Sequence, residues 1–224
     1  MKPYWFSQKI QATPFGNLVR KTVESLSIRT ICTEAKCPNR NFCFSRRSLT
    51  FLILGETCTR NCFFCSVKKG KPEEVDPSEP KRIAEACKTI GLKHIVITSV
   101  TRDDLPDGGA NHFANVVRAI RDVLPDASIE VLVPDFMGRN ELIDIVLFSP
   151  INIFGHNIET VPRLYKKIRP KADYARSMSV LSYAAQKGFR TKTAIMVGCG
   201  ETKEEVFSVI REVSEAGIKY IVIG

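Results

Sequence analysis

Short runs of β-branched and apolar residues alternate with longer amphipathic stretches through most of the chain, and that alternation leaves few architectures open. Residues 50–54, 94–100, 128–133, 151–154, 192–197 and 220–223 read as strands. Most are apolar nearly throughout, as strands covered on both faces must be, so they belong in a parallel sheet. Residues 79–90, 109–124, 140–147, 160–168, 173–187 and 202–216 read as helices. Thr202 with Glu205 three positions on makes a capping box, and Gly188 and Gly217 stop the helices before them. Six such repeats in 224 residues fall short of the roughly 250 that an eightfold barrel needs. The expected fold is therefore α/β: a partial (β/α)6 TIM-type barrel over residues 49–224, preceded by a cysteine-rich N-terminal extension over residues 1–48. A doubly wound sheet is the alternative. Either way ligands gather at the carboxyl ends of the strands, which directs attention to residues 55–65, 101–109, 134–138, 155–159 and 198–202.

Cysteine usage narrows the chemistry. Six of the eight cysteines fall between Cys32 and Cys65. A disulfide framework staples distant segments, whereas clustering of this kind belongs to metal or redox chemistry in a reducing compartment. The chain opens without the apolar stretch of a secretory signal, shows no transit peptide and holds no long uncharged run, so the expected location is the cytoplasm, away from any membrane. Net charge is +9, and the basic excess lies wholly before Pro72, where thirteen Lys or Arg face three Asp or Glu. Whatever docks there is acidic. Nucleic acid and an acidic protein both qualify on charge, but no RNA-binding module is appended.

The loop after the first strand carries Cys58, Cys62 and Cys65 at spacings of four and three. Three thiolates so close can each take one corner of an iron-sulfur cubane and leave the fourth iron open. An open iron can chelate the amino and carboxylate groups of S-adenosylmethionine and pass an electron to its sulfonium, giving a carbon radical. Zinc, the competing reading, prefers four Cys or His ligands in two close pairs; no His lies near this loop. Phe64 is placed to pack on an adenine, or is simply a loop aromatic. A second triad, Cys32, Cys37 and Cys43, has spacings of five and six in a polar, turn-rich stretch. Wide spacing suits a loop wrapping a cluster better than a zinc knuckle.

The order of the two triads and the words around them resemble the lipoyl synthase family. The matching passages are Cys37-Pro38-Asn39 within the first triad, Thr50 to Gly55, Cys58-Thr59-Arg60 through Cys65, Val100 to Gly109, His156 to Val161, and Met196 to Thr202. The resemblance implies two four-iron, four-sulfur clusters. One, on Cys58, Cys62 and Cys65, cleaves S-adenosylmethionine; the other, an auxiliary cluster on Cys32, Cys37 and Cys43, is consumed as sulfur donor. It implies as substrate an octanoyl chain on a lysine of a lipoyl carrier domain or glycine cleavage H protein, sulfur entering at C6 and C8, with a low-potential electron donor as second partner. Relatives complete the auxiliary cluster with a serine from an Arg-Ser-Ser-Tyr segment near their carboxyl end, and no such segment occurs here. Either the chain is a shortened form, or another group is the fourth auxiliary ligand, or the site is incomplete. Thiolation of another substrate such as transfer RNA, or a cluster-binding remnant without turnover, are the rival functions.

Further residues are assigned by position at the strand ends. Asn157 and Glu159 are candidates for a ribose, although Asn157 also reads as a helix cap. Thr98 and Ser99 are candidates for the amino group of methionine, and Arg176 and Lys192 for its carboxylate or for ordinary salt bridges. Asp103, Asp104 and Asp107-Gly108-Gly109 fit turn chemistry as well as the family pattern. Cys87 and Cys199 read as packed thiols. His94, His112 and His156 are too scattered to form a metal cluster.

Overall fold

The predicted apolar runs pair edge to edge in chain order. The computed structural model describes residues 13–34, 37, 40–45 and 48–224. Within them the strands are β1 (Thr50–Ile53), β2 (Thr57–Cys58), β3 (Lys68–Lys69), β4 (His94–Ser99), β5 (Ser128–Leu132), β6 (Ile153–Gly155), β7 (Thr191–Ile195) and β8 (Tyr220–Ile223). The helices are α1 (Pro14–Ser25), α2 (Ile31–Glu34), α3 (Arg40–Ser45), α4 (Glu79–Ile90), α5 (Ala110–Val123), α6 (Asn140–Leu147), α7 (Tyr165–Ile168), α8 (Tyr174–Gln186) and α9 (Lys203–Glu215). The main sheet runs β1-β4-β5-β6-β7-β8, parallel throughout. A doubly wound sheet reverses its strand order at a switch point; this order never reverses. The fold is a six-stranded partial barrel of TIM type, open between β1 and β8.

Register sorts the side chains. On β4 the residues Ile95 and Ile97 are buried beneath helices, while Val96 and Thr98 are half-exposed on the concave face. On β7 the same alternation leaves Lys192 and Ala194 toward the lumen. Gly155 also lies on that face, where a Cβ would come within 3.0 Å of the Val131 carbonyl. One apolar core fills the space between β1, β4 and β5 and helices α4 to α6, and a second sits under α7, α8 and α9. Val19 of α1, Cys32 of α2 and Phe44 of α3 are buried in the first of these, and Thr30 bridges Phe51 of β1.

Most element boundaries match the sequence expectation to within two residues, and the Thr202–Glu205 capping box is present. Two differ for stated reasons. The helix expected over 160–168 is a 3-10 turn, Pro162–Leu164, leading into α7. Before it, Glu159 is still bound to β7, donating its N–H to Ala194 and accepting that of Met196, and Val161 is extended, so no helix begins until Pro162. Helix α1 was not expected, yet Thr13 accepts the Gly16 N–H as its cap and Pro14 opens its first turn.

Candidate active site

The cysteine loop leaves β1 through a forced turn. Leu54 has φ +68° and Gly55 φ +99°, and a leucine in the left-handed region costs on the order of 1 kcal/mol or more unless its surroundings hold it there. Both of its backbone groups are gripped by side chains: its N–H donates to Glu79 Oε2 at 2.9 Å and its carbonyl accepts from Arg102 Nη1 at 3.1 Å. Gly109 lies directly behind, where a Cβ would fall 2.3 Å from Leu54 Cδ1.

Beyond that turn the loop is bonded to its neighbours at most steps. β2 and β3 pair across its base, the Thr59 N–H donates to the Thr101 carbonyl, the Phe63 N–H to Ile168, and Lys171 Nζ to the Thr59 carbonyl at 2.8 Å. Cys58 Sγ accepts two amide N–H groups, from Arg60 at 3.4 Å and Thr101 at 3.3 Å. Such donors fix the position of the sulfur, as outer-shell hydrogen bonds do for metal ligands. The Cys65 thiol is pushed up by burial first and then by the nearby Cys58 and Cys62, with Lys69 opposing. A Cys65 thiolate made costly by burial and by two neighbouring sulfurs is a donor in need of positive charge, which an iron cluster would supply. Phe63 and Phe64 stand exposed on the same loop.

The first triad is likewise drawn together. Cys32 lies on α2, Cys43 on α3, and Cys37 between them, its N–H donating to the Cys32 carbonyl. Burial pushes the Cys32 thiol up, and Cys37 and Cys43 add to it. Pro38 and Asn39 of the matching passage, with residues 1–12 of the extension, lie outside the described residues. The eight cysteines form no disulfide. Among the described residues no three His, Cys, Asp or Glu side chains are grouped as the ligands of a single metal ion. Cys87 is packed as expected, its thiol driven far up by burial. Cys199 is not: it is exposed, because Glu201 accepts its N–H and holds the Gly198–Gly200 turn outward.

Around the lumen the candidate residues separate into open and occupied groups. Ser99 Oγ is buried with no hydrogen-bond partner among the described residues, but by register it shares the helix-facing side with Ile95 and Ile97 and lies beside the buried Ile53, so it does not line the lumen as its position in the sequence implied. Thr98, its neighbour, is already committed, donating to the Leu132 carbonyl. Glu159 has φ +70°, and burial raises its carboxyl while Arg169 and the Asn157 side chain oppose. A strained, poorly solvated acid at a strand mouth is the kind of group that binding sites hold. Asn157 caps no helix; its carbonyl accepts from Arg169 Nη1. Lys192 and Arg176 are engaged. Lys192 Nζ donates to both oxygens of Glu130, at 2.8 and 3.0 Å, and Arg176 Nη1 lies 3.4 Å from Asp135 Oδ2.

His156 anchors this wall from behind. Its ring is fully buried between the Val133 carbonyl and Ser177 Oγ, at 2.8 and 3.0 Å. Burial first, and then the Arg169 charge, hold its pKa down at about 4. The folded chain thus keeps a neutral imidazole where the unfolded chain takes up a proton near pH 6.5. Stability is intact above that pH and falls as pH drops toward 4, by about 3 kcal/mol from this residue. Urea unfolding of the metal-free chain at pH 7 and pH 4.5 should show that loss, and His156→Asn should remove most of it.

The Radical SAM superfamily profile matches residues 52–220. A lipoyl synthase of Caldicellulosiruptor saccharolyticus is 52% identical over all of this chain and 79% of its own length, and one of Aquifex aeolicus is 46% identical over 92% of this chain and 75% of its own. The chain belongs to the lipoyl synthase family. It is therefore a radical S-adenosylmethionine enzyme of the sulfur-inserting kind, whose superfamily cofactors are a four-iron, four-sulfur cluster and S-adenosylmethionine. Lipoyl synthases from other lineages agree, that of Caldanaerobacter subterraneus being 46% identical across the whole chain. Among solved structures, methylornithine synthase superposes with a TM-score of 0.61 at 15% identity, covering 98% of this chain and 65% of its own. SuiB of Streptococcus suis, bound to S-adenosylmethionine, gives 0.62 at 13%, covering 93% and 49%. The chain spans less than two thirds of each, and at such identities the likeness is one of fold alone. No helix among the described residues is long and apolar enough to cross a membrane.

Proposed function

We propose that this chain inserts sulfur at C6 and C8 of an octanoyl chain borne on a lysine of a lipoyl carrier protein. The observation that carries the reading is the pairing of two cysteine triads, one in the loop at the carboxyl mouth of the barrel, where Glu159 is strained, the other on the N-terminal helices. Cys58, Cys62 and Cys65 would hold the cluster that binds S-adenosylmethionine. Cys32, Cys37 and Cys43 would hold an auxiliary, sulfur-donating cluster, with residues 1–48 as its carrier segment and 49–224 as the catalytic barrel. When bound, the cofactor pair supplies a carbon radical able to take hydrogen from an unactivated methylene, which no acid or base on the chain can reach.

The residues of the chain bind and orient. Cys58 is set by two amide donors, and Glu159 with Asn157 offers acceptors to the ribose. Phe64 stands beside the loop for the adenine. Arg176 and Lys192 would meet the carboxylate only by leaving Asp135 and Glu130, so they are weaker candidates than their positions in the sequence imply. Lys68 and Lys69 at the end of the cysteine loop are exposed, as are Lys166, Lys167 and Lys171, and these cations are matched to an acidic carrier domain such as the glycine cleavage H protein and to a low-potential electron-transfer protein.

Anaerobic reconstitution tests the reading. Given a strong reductant, S-adenosylmethionine and an octanoylated carrier domain, the chain should bind about eight irons and release deoxyadenosine together with the thiolated carrier. Deoxyadenosine without carbon-sulfur product would leave only the radical half of the proposal standing; stoichiometric zinc would remove both halves.

A further inference from the structure

Arg60 lies between two of the loop cysteines and is only 5% exposed, an unusual place for a guanidinium on a surface loop. It forks onto two carboxylates from two different strand ends. Its Nε and Nη2 donate to Asp103 at 2.8 Å each, and its Nη1 and Nη2 to Asp135 at 3.0 and 2.7 Å. Asp135 is wholly buried and also receives Arg176 from α8. Asp103 additionally accepts from Thr59 Oγ1. Two cations and two anions thus close a neutral network around the stretch Thr59-Arg60 that spaces Cys58 from Cys62.

The far side of the network is built under strain. Phe136, Met137 and Gly138 all have positive φ, at 45°, 55° and 75°, so the chain makes a left-handed turn immediately after Asp135. Asp135 Oδ1 accepts the Met137 N–H and holds that turn. The turn places Met137 Sδ 3.3 Å from Arg60 Nη2 and 3.6 Å from Arg176 Nη1. Strain of this sort persists where the surroundings over-determine it, and it gathers at functional sites.

We propose that Asp135 and Asp103 are positioning residues which, by clasping Arg60, fix the cysteine loop in the place from which Cys58, Cys62 and Cys65 would hold a cluster at the mouth of the barrel. The inference rests on the proposed role of Cys58, Cys62 and Cys65. It predicts that loosening the clasp leaves the cluster bound but misdirects it. A displacement of about 1 Å is enough to lower a rate on the order of a hundredfold.

Asp135→Asn keeps the shape and removes the charge; Asp103→Asn does so at a partly exposed position and leaves the buried Arg60–Asp135 pair intact. Hydrogen exchange on the metal-free chains should show amides of residues 57–66 exchanging about tenfold faster or more in each variant, with β4 and β5 unchanged. After reconstitution, iron content should match wild type, the cluster's electron paramagnetic resonance signal should respond less to S-adenosylmethionine, and kcat for deoxyadenosine formation should fall about tenfold or more. Should Asp135→Asn fail to fold, Asp103→Asn decides alone. Unchanged exchange in this loop, or wild-type kcat in a folded variant, overturns the inference. If wild type itself yields no deoxyadenosine, the proposed function fails, while the exchange measurement, made without iron, still decides this one.

Discussion

Cys58→Ala should lower deoxyadenosine formation on the order of a thousandfold or more, ~4 kcal/mol in the barrier, while Cys32→Ala should leave it within severalfold of wild type and abolish carbon-sulfur product. The two cysteines sit in separate thiol sets. Cys58 is tied by amide bonds to the mouth of the barrel, and Cys32 is buried on α2 against the first core. Removing Cys58 leaves two thiols, Cys62 and Cys65, and a site that no longer offers three corners. Removing Cys32 disturbs none of the bonds that hold the loop from Cys58 to Cys65. Measuring deoxyadenosine and thiolated carrier in one anaerobic assay separates the outcomes. Loss of deoxyadenosine in both variants would mean the triads are not independent, and full product from Cys32→Ala would remove the auxiliary role.

Much of this molecule could be read from its sequence, because the signals concerned are local. Strands such as His94–Ser99 and Ser128–Leu132 announce themselves by near-continuous apolar runs, and the loops at their carboxyl ends then follow by rule. Helix α1 has an equally local signal in Thr13-Pro14, a capping residue followed by a proline in the first turn. What the sequence could not convey is pairing across distance. Arg60 finds Asp135 75 residues away, Arg176 finds the same carboxylate, and Lys192 finds Glu130 62 residues away. Nothing in a basic residue at a strand end says whether it is open to a ligand or already engaged. Conformation was hidden for a similar reason: Leu54 and Glu159 are not residues that favour positive φ, and they adopt it because tertiary bonds hold them there.

Glu79→Ala should destabilise the chain by about 3 to 5 kcal/mol, lowering the melting temperature by roughly 10 °C. Glu79 looks like an ordinary first-turn acid of α4, yet its carboxyl is buried and Oε2 accepts from two sides, from the Leu54 N–H at 2.9 Å and paired with His112 Nε2 at 2.7 Å. Truncation strands a buried amide and a buried imidazole together, each costing about 1–3 kcal/mol without a partner. Glu79→Gln keeps an acceptor and should cost about 1 kcal/mol. The larger consequence is for the loop. With its N–H released, Leu54 loses half of what holds it at φ +68°, and β1 is free to run on straight and carry Gly55 to Cys65 away from the lumen. Thermal melts of the metal-free variants give the stability, and hydrogen exchange at residues 54–66 gives the loop. A cost under about 1 kcal/mol for Glu79→Ala would mean that water replaces the carboxylate, and the strained exit from β1 would then need another explanation.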